Sequence, residues 1–455
     1  MTVAGTIHAI PIARHPASVA KVNRAPLVER AIFLAVLGSM VLAFGAADAL
    51  PLSMSATALF GLAGWLVVSR PVEPALRPVV SAALGIATLL ALWVVIQSVL
   101  PVSGAPADSQ AAIVPIMLPF AVFVIALLLW PTDGAARELL QVIGVGGALL
   151  AAYGVAQLSL SPGKVLFVRP TPHLDSLTAT LMSPDAAALV LGSIVILLAV
   201  RSVELIRRVL EREGSLRDVL RVLLFGGSTL VVLAGLLLTQ SRVGIGATVL
   251  GLAFALGLTA AFPSSKRTHR NDRHPTLKRV GAGVFAAAVT VLSIGLLAAR
   301  TLAVDTSSRG ELDAGCELPS LLRMLADHWV FGAGAGTFDT AVLAYANPTC
   351  GLSRTGVTDH SGFLIGWVSL GLPFVAGTLA AGVVLALILI RGLSRRRRMR
   401  WAPIAGMSVI VTAVISLTWT SSAFVPAVAA VIATILAAIC AICLNDAQHN
   451  QGGSS

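Results

Sequence analysis

The apolar positions of this chain gather into long unbroken runs separated by short polar connections. Twelve such runs stand out, at 31–49, 52–69, 79–100, 111–130, 139–160, 184–200, 222–239, 243–262, 280–299, 372–390, 402–419 and 423–443. As helices they reach across a hydrocarbon core of roughly 30 Å, which takes about 20 residues. A spanning barrel would instead show short segments of alternating polarity, and these runs are continuously apolar. The expected fold is therefore an all-α polytopic membrane protein with about twelve transmembrane helices. The pattern divides the chain into an N-terminal segment (1–30), spans 1 to 9 (31–299), a large loop (300–371), spans 10 to 12 (372–443) and a polar tail (444–455).

Composition supports this class. Of the 455 residues 56% are hydrophobic and only 12% charged, about half the charged fraction of a soluble domain. The net charge of +11 raises the question of a nucleic-acid partner, and its distribution answers it. With the N-terminus placed inside, 25 of the 32 Lys and Arg fall on the inner side together with 10 acidic residues, and the other 7 fall outside with 11. That is a positive-inside bias, so the basic excess reports topology with both termini cytoplasmic, and no nucleic acid is expected. RGLSRRRRMR (391–400) reads as a cytoplasmic anchor beside anionic headgroups. The N-terminal basic region is too long for a signal peptide, although Ala47-Asp48-Ala49 offers a small-x-small site.

Most connections are short, and long ones without a span of their own are usually functional or disordered. The 300–371 loop is rich in aromatic residues and suits a folded segment. It contains an apolar helical spacing over 321–329 and a glycine-rich turn, FGAGAGTF (331–338). Gly334 and Gly336 would let backbone amides approach an anion, or would simply allow a tight turn. Cys316 and Cys350 lie in the same loop, where an oxidising compartment permits a disulfide, though the two thiols can equally stand apart. Cys440 and Cys443, inside the last span without a His or acid beside them, read as small packing residues.

The candidate chemistry is basic. All seven outer cations lie in or near the 161–185 loop, the turn TQSR (239–242) and the 300–359 loop. A topology that excludes cations from this side needs a separate reason for those that remain, and anion binding is the simplest. Arginine suits diphosphate because its planar fork donates two parallel hydrogen bonds and stays charged. Arg242 has no acidic neighbour along the sequence and stands between two spans, where a lone guanidinium is costly to desolvate. Arg309, Arg323, Arg169 and Lys164 complete the candidate set. Asp359-His360 sits at the outer interface, either as a cap or surface group, or as a proton acceptor with an unperturbed pKa near 6.5.

These residues carry a resemblance. TQSRVGIGATVLGL is similar to the TQSR-type signature of the O-antigen ligase and polymerase superfamily, and DHWVFGAGAGTF resembles that family's glycine-rich stretch, with Trp329 where proline is usual. His360-Ser361, nine residues and then Gly371 is similar to the ligases' His-[Asn/Ser/Gln]-x9-Gly motif. LMSPDAAALVL (181–191) resembles an Asn-Pro-Asn-x-x-Ala segment, with Ser183 and Asp185 in place of both asparagines. The family's loop arginine falls near Cys316, so Arg309 or Arg323 would take its role. The resemblance implies a metal-independent, cofactor-free glycosyltransferase with twelve spans, both termini cytoplasmic and a large periplasmic loop, in a bacterial inner membrane. Its donor would be an undecaprenyl-diphosphate-linked glycan, and its acceptor another glycan or a lipid A–core. Arg242 and His360 would be catalytic, Arg242, Arg309, Arg323, Arg169 and Lys164 would hold the diphosphate, and Asp359, Gln240, Ser241, Gly334 and Gly336 would support them. The alternative class is a transporter or flippase of the lipid-linked oligosaccharide, which calls for ionisable residues deep within spans; the apolar runs contain almost none.

Overall fold

The computed structural model describes residues 25–99, 106–161, 163–166, 169–170, 176–211, 216–262, 322–345, 361–396 and 399–445. The expected span at 280–299, both loop cysteines and Arg309, Asp359 and His360 lie outside these. Every other expected span coincides with a helix. In chain order these are α1 (Ala25–Leu42), α2 (Ala49–Ser69), α3 (Arg77–Val99), α5 (Ile113–Leu129), α6 (Asp133–Leu160), α7 (Pro184–Glu211), α8 (Leu216–Leu238), α9 (Arg242–Ala261), α13 (Leu372–Arg395), α14 (Trp401–Trp419) and α15 (Pro426–Leu444). Shorter helices are α4 (Pro106–Ala111), α10 (322–328), α11 (Phe338–Tyr345) and α12 (Gly362–Leu370). Among the described residues, nine helices are long and apolar enough to cross a membrane, so the chain is an all-α, multi-span membrane protein.

The boundaries differ from expectation where hydropathy is a poor guide to helix ends. The first helix stops at Leu42, short of the expected 49, because Phe44–Ala46 form a 3-10 turn around Gly45. Gly45 has φ +75°, and a Cβ there would stand 2.8 Å from Val425 Cγ1. In the opposite sense, α6 begins at Asp133 and α7 runs on to Glu211. Apolar runs mark the hydrocarbon core, whereas helices continue beyond it into the zone where charged side chains are solvated.

Two helices form the centre. The apolar windows of α7 and α15 are 83% buried within the protein, against 17% for α13 and 22% for α3. The outer helices turn Trp65, Val68, Leu89, Leu149 and Leu379 away from the bundle, as helices facing lipid tails do. Lipid gives apolar side chains no reason to leave it, so association within a membrane rests on close packing and on small residues. The α7, α9 and α14 contacts are built this way. A Cβ at Gly244 would lie 2.3 Å from Ala188 Cβ, one at Gly192 2.0 Å from Thr248 Oγ1, and one at Gly251 2.3 Å from Thr412 Oγ1. The Thr412 hydroxyl donates across the interface to the Ala247 carbonyl at 3.1 Å.

The connections sort into two ends. At one, Glu29 binds Arg70, Arg30 donates to the Leu129 carbonyl and stacks on Trp130, and Arg396 pairs with Asp133. At the other, Asp48 pairs with Arg169, Leu177 N–H donates to Leu238 O at 2.9 Å, and Gly362 N–H donates to Thr420 O at 3.1 Å. Each of these contacts joins two segments that the charge distribution places on the same side. Two-sidedness is thus a property of the fold; which end meets the cytoplasm rests on the charge bias.

Replacing Gly251 with Leu forces a branched side chain into Thr412, Ile196 and the Ser408 carbonyl. Overpacking of this kind costs about 1–3 kcal/mol or more, so the variant is expected to melt below the parent in detergent. Gly226→Ala, which meets nothing within 4 Å, is expected to melt at or slightly above it, because Ala in a helix is favoured by about 0.5–1 kcal/mol.

Candidate functional site

The end that carries Arg242 is also where the backbone departs from regular structure. All the non-glycine residues with positive φ among those described lie in its connections: Phe44, Ala46, Leu166, Ala179, Met182 and Gln240. A side chain in the left-handed region costs roughly 1–2 kcal/mol. Such costs persist where the surroundings over-determine them, and they cluster at functional sites.

The TQSR turn is held in detail. Thr239 is buried, and its hydroxyl donates to Leu236 O at 2.6 Å. Gln240 takes φ +54°, which turns the chain so that Ser241 can cap α9. The Ser241 hydroxyl accepts from Gly244 N–H at 2.9 Å and donates to the Asp185 carboxylate at the start of α7. The acidic residue missing from the local sequence is therefore supplied from 56 positions upstream, and it engages the serine rather than the arginine. Arg242 stands at the first position of α9, exposed, with no hydrogen bond or ion pair to a described residue.

The other expected binders are distributed less simply. Lys164 is exposed on a two-stranded ribbon, β1 (Lys164–Val165) and β2 (Arg169–Pro170), anchored where the Tyr153 hydroxyl accepts from Leu166 N–H at 2.8 Å. Arg169, expected as a phosphate ligand, pairs instead with Asp48 and lies over the Phe44 ring at 5.0 Å. Its charge already has a protein partner, so its presence on this side needs no anion. Arg323 is exposed on α10.

At Gly332 and Gly334 the glycine-rich turn takes the tight-turn alternative. Gly332 N–H donates to His328 O, Ala333 N–H to Val368 O and Gly334 N–H to Ser369 O, at 2.9, 2.7 and 3.1 Å. The amides of Ala333 and Gly334 are spent on the C-terminal end of α12, and that of Gly332 on the end of α10. A Cβ on Gly332 would stand 2.4 Å from Ser369 O, and one on Gly336 2.9 Å from Asp108 O. The glycines therefore let two backbone segments meet. Gln97 of α3 completes the clasp, its amide donating to Phe331 O and to Ser369 O. The His-Ser-x9-Gly spacing also acquires a local meaning. Ser361 caps α12 by accepting from Leu364 N–H, and Gly371, with φ +69°, ends it against Val330 O. His360 thus immediately precedes a capped helix docked on the glycine turn.

A cluster that sequence spacing did not reveal sits beside this turn. The Tyr345 hydroxyl donates to Asp327 at 2.9 Å and lies 3.2 Å from His328 Nε2. Burial, then the hydrogen bond and charge of Asp327, hold the Tyr345 phenol above the usual tyrosine range. The neutral phenol is favoured in the folded chain, so its contribution to stability is complete below the ordinary tyrosine pKa and is lost as pH rises through the raised value. The chain has two tyrosines. In a Tyr153→Phe background, ultraviolet titration should therefore show a single phenolate transition above the ordinary pKa, moving down in Asp327→Asn. A transition at the ordinary value would refute the contact.

Stability separates the two halves of the TQSR turn. Asp185→Ala removes a charge-assisted hydrogen bond and should cost about 1–3 kcal/mol of unfolding free energy, whereas Arg242→Ala should change it by under about 0.5 kcal/mol. Equal losses in thermal melts of the two variants would mean that Arg242 is a structural residue. No protein-family model and no curated protein matches this chain.

Proposed function

We propose that this chain is a membrane glycosyltransferase of the O-antigen ligase and polymerase type, moving a glycan from an undecaprenyl-diphosphate carrier to an acceptor hydroxyl at the periplasmic face of a bacterial inner membrane. In this reading the chain has twelve spans, cytoplasmic termini and a periplasmic loop over 300–371. The observation that carries the proposal is Arg242, an exposed guanidinium without a counter-charge among the described residues, at the first position of α9, which Ser241 caps and Asp185 holds. The TQSR and His360-Ser361-x9-Gly371 resemblances supply the reaction class.

The acceptor oxygen attacks the anomeric carbon, and the bond from that carbon to the diphosphate oxygen breaks. Arg242, with Arg309 or Arg323, takes up charge as the diphosphate leaves, and His360 accepts the proton from the attacking hydroxyl. Asp359 or a backbone carbonyl orients the imidazole. Charge-assisted donors aimed at a developing anion contribute more in the transition state than in the ground state, which is what catalysis requires.

An assay with the purified full-length chain, lipid-linked glycan and candidate acceptors, without added metal, tests this. Arg242→Ala and His360→Ala are each expected to lower transfer by about 10²-fold or more while still inserting and melting like the parent. Full transfer by both variants would remove the mechanism. In cells, a knockout that loses long chains but keeps single capped repeats would assign the polymerase branch.

A further inference from the structure

Trp329 and Phe331, at the tip of the turn between α10 and α11, are 52% and 56% exposed, and the proposed transfer gives them no task. Their height along the bundle is fixed by α3. The Phe331 ring stacks on Trp93, with centroids 6.1 Å apart and planes 16° from parallel, and its carbonyl accepts from the Gln97 amide. Trp93 and Gln97 stand six and two residues before the end of α3 at Val99. At 1.5 Å per residue the tip is therefore held about 3–9 Å inside the end of a membrane-crossing helix. Leu89 and Ile96, one helical turn to either side of Trp93, point away from the bundle, so the two aromatic side chains continue the lipid-facing surface of α3.

The backbone of the tip is suited to the same depth. The Trp329 carbonyl accepts from the Trp367 indole at 3.1 Å, the Val330 carbonyl from Leu372 N–H at 3.0 Å, and the Phe331 carbonyl from Gln97. Three consecutive carbonyls outside regular structure are thus each paired within the protein, two of them by side chains reaching in from α12 and α3. A turn bathed in water needs no such donors, whereas irregular backbone at membrane depth is tolerated only where protein satisfies it. Leu372 begins α13, whose apolar window is only 17% buried. The tip is therefore tied to two helices that face lipid. Indoles favour this level, where the ring meets acyl chains and the N–H remains near polar groups.

We propose that Trp329 and Phe331 form a wedge that enters the leaflet at the Arg242 end of the bundle, where it contacts phospholipid acyl chains just below the headgroups and anchors the α10–α12 segment to the bilayer. The partner is the lipid itself, and the inference holds whatever reaction the chain performs.

The full-length chain in phosphatidylcholine nanodiscs tests this. It has seven tryptophans, and the Trp329 emission is isolated as the difference between the parent and Trp329→Phe. That component is expected to be quenched by phosphatidylcholine brominated on its acyl chains and to be spared by acrylamide in the water. Photoreactive benzoylphenylalanine replacing Phe331 is expected to give lipid adducts, counted by mass spectrometry, as often as it does at Leu89 and several-fold more often than at Asp339, which is exposed on α11. Thermal melting like the parent's establishes that each variant is folded. A Trp329 component quenched by acrylamide and untouched by brominated lipid, or adducts at Phe331 no more frequent than at Asp339, would overturn the wedge. Neither readout involves glycan transfer, so the two proposals fail independently.

Discussion

The fold depends on how closely α7 can approach α9 and α14. Lipid tails are as apolar as leucine, so no hydrophobic gain assembles these helices once they are in the membrane. What remains is short-range: dispersion between atoms at contact and a few interhelical hydrogen bonds. Gly192, Gly244 and Gly251, facing Thr248, Ala188 and Thr412, remove the side chains that would hold the backbones apart. Because α9 starts at Arg242 and α7 starts at Pro184, the same contacts fix the TQSR turn against Asp185. The position of the candidate arginine is in this sense a consequence of helix packing.

The irregular backbone follows from the same geometry. Within hydrocarbon every amide must be satisfied inside its own helix, so departures from helical geometry are confined to the ends or to places covered by protein. Here they are collected at one end. The 176–183 segment bonds to the end of α8, Leu177 with Leu238, and the glycine turn at 331–337 to the junction at Gly371, Gly334 with Ser369 and Leu372 with Val330. Segments without regular structure of their own thus have backbone groups satisfied by their neighbours. The end carrying Arg137, Arg201, Arg396 and Trp401 is built differently, from helix termini and long cationic side chains, and has none of the left-handed residues among those described.

Much of this was legible in the sequence because the signals concerned are local. Continuous apolar runs gave the helices, and the partition of Lys and Arg gave the pairing of connections into two ends. What was not legible is long-range. Nothing near Arg169 in sequence announces Asp48, nothing near Ser241 announces Asp185, and Tyr345 meets Asp327 and His328 only because α11 folds back on α10. The glycines of 332–336 were ambiguous for a related reason. A glycine pattern shows that something comes close, and only the partner's identity, here a carbonyl of α12 at Gly332 and one of α4 at Gly336, decides between a ligand and another backbone segment. Helix ends were misjudged where charged residues continue a helix past the hydrocarbon, as at Asp133 and Glu211.

The placement of Arg242 is the step that joins fold to chemistry. The first turn of a helix carries about half a positive charge from its unpaired amides, and side chains there are favoured when they are negative. α9 has no acidic residue in its first turn and begins with a guanidinium instead. The nearest carboxylate in the cap, Asp185, is turned to Ser241, so it stabilises the turn without neutralising the arginine's exposed face. Two like charges, one fixed in the backbone and one on a side chain, are thereby left side by side at the surface. In isolation this costs about 0.3–1 kcal/mol. In the proposed transfer, the guanidinium would offer its planar fork to the diphosphate at this helix end, and the repulsion that weakens the free protein would be relieved there. Under the proposed function, a cation at this position would meet an anion arriving from outside the chain rather than hold the helices together.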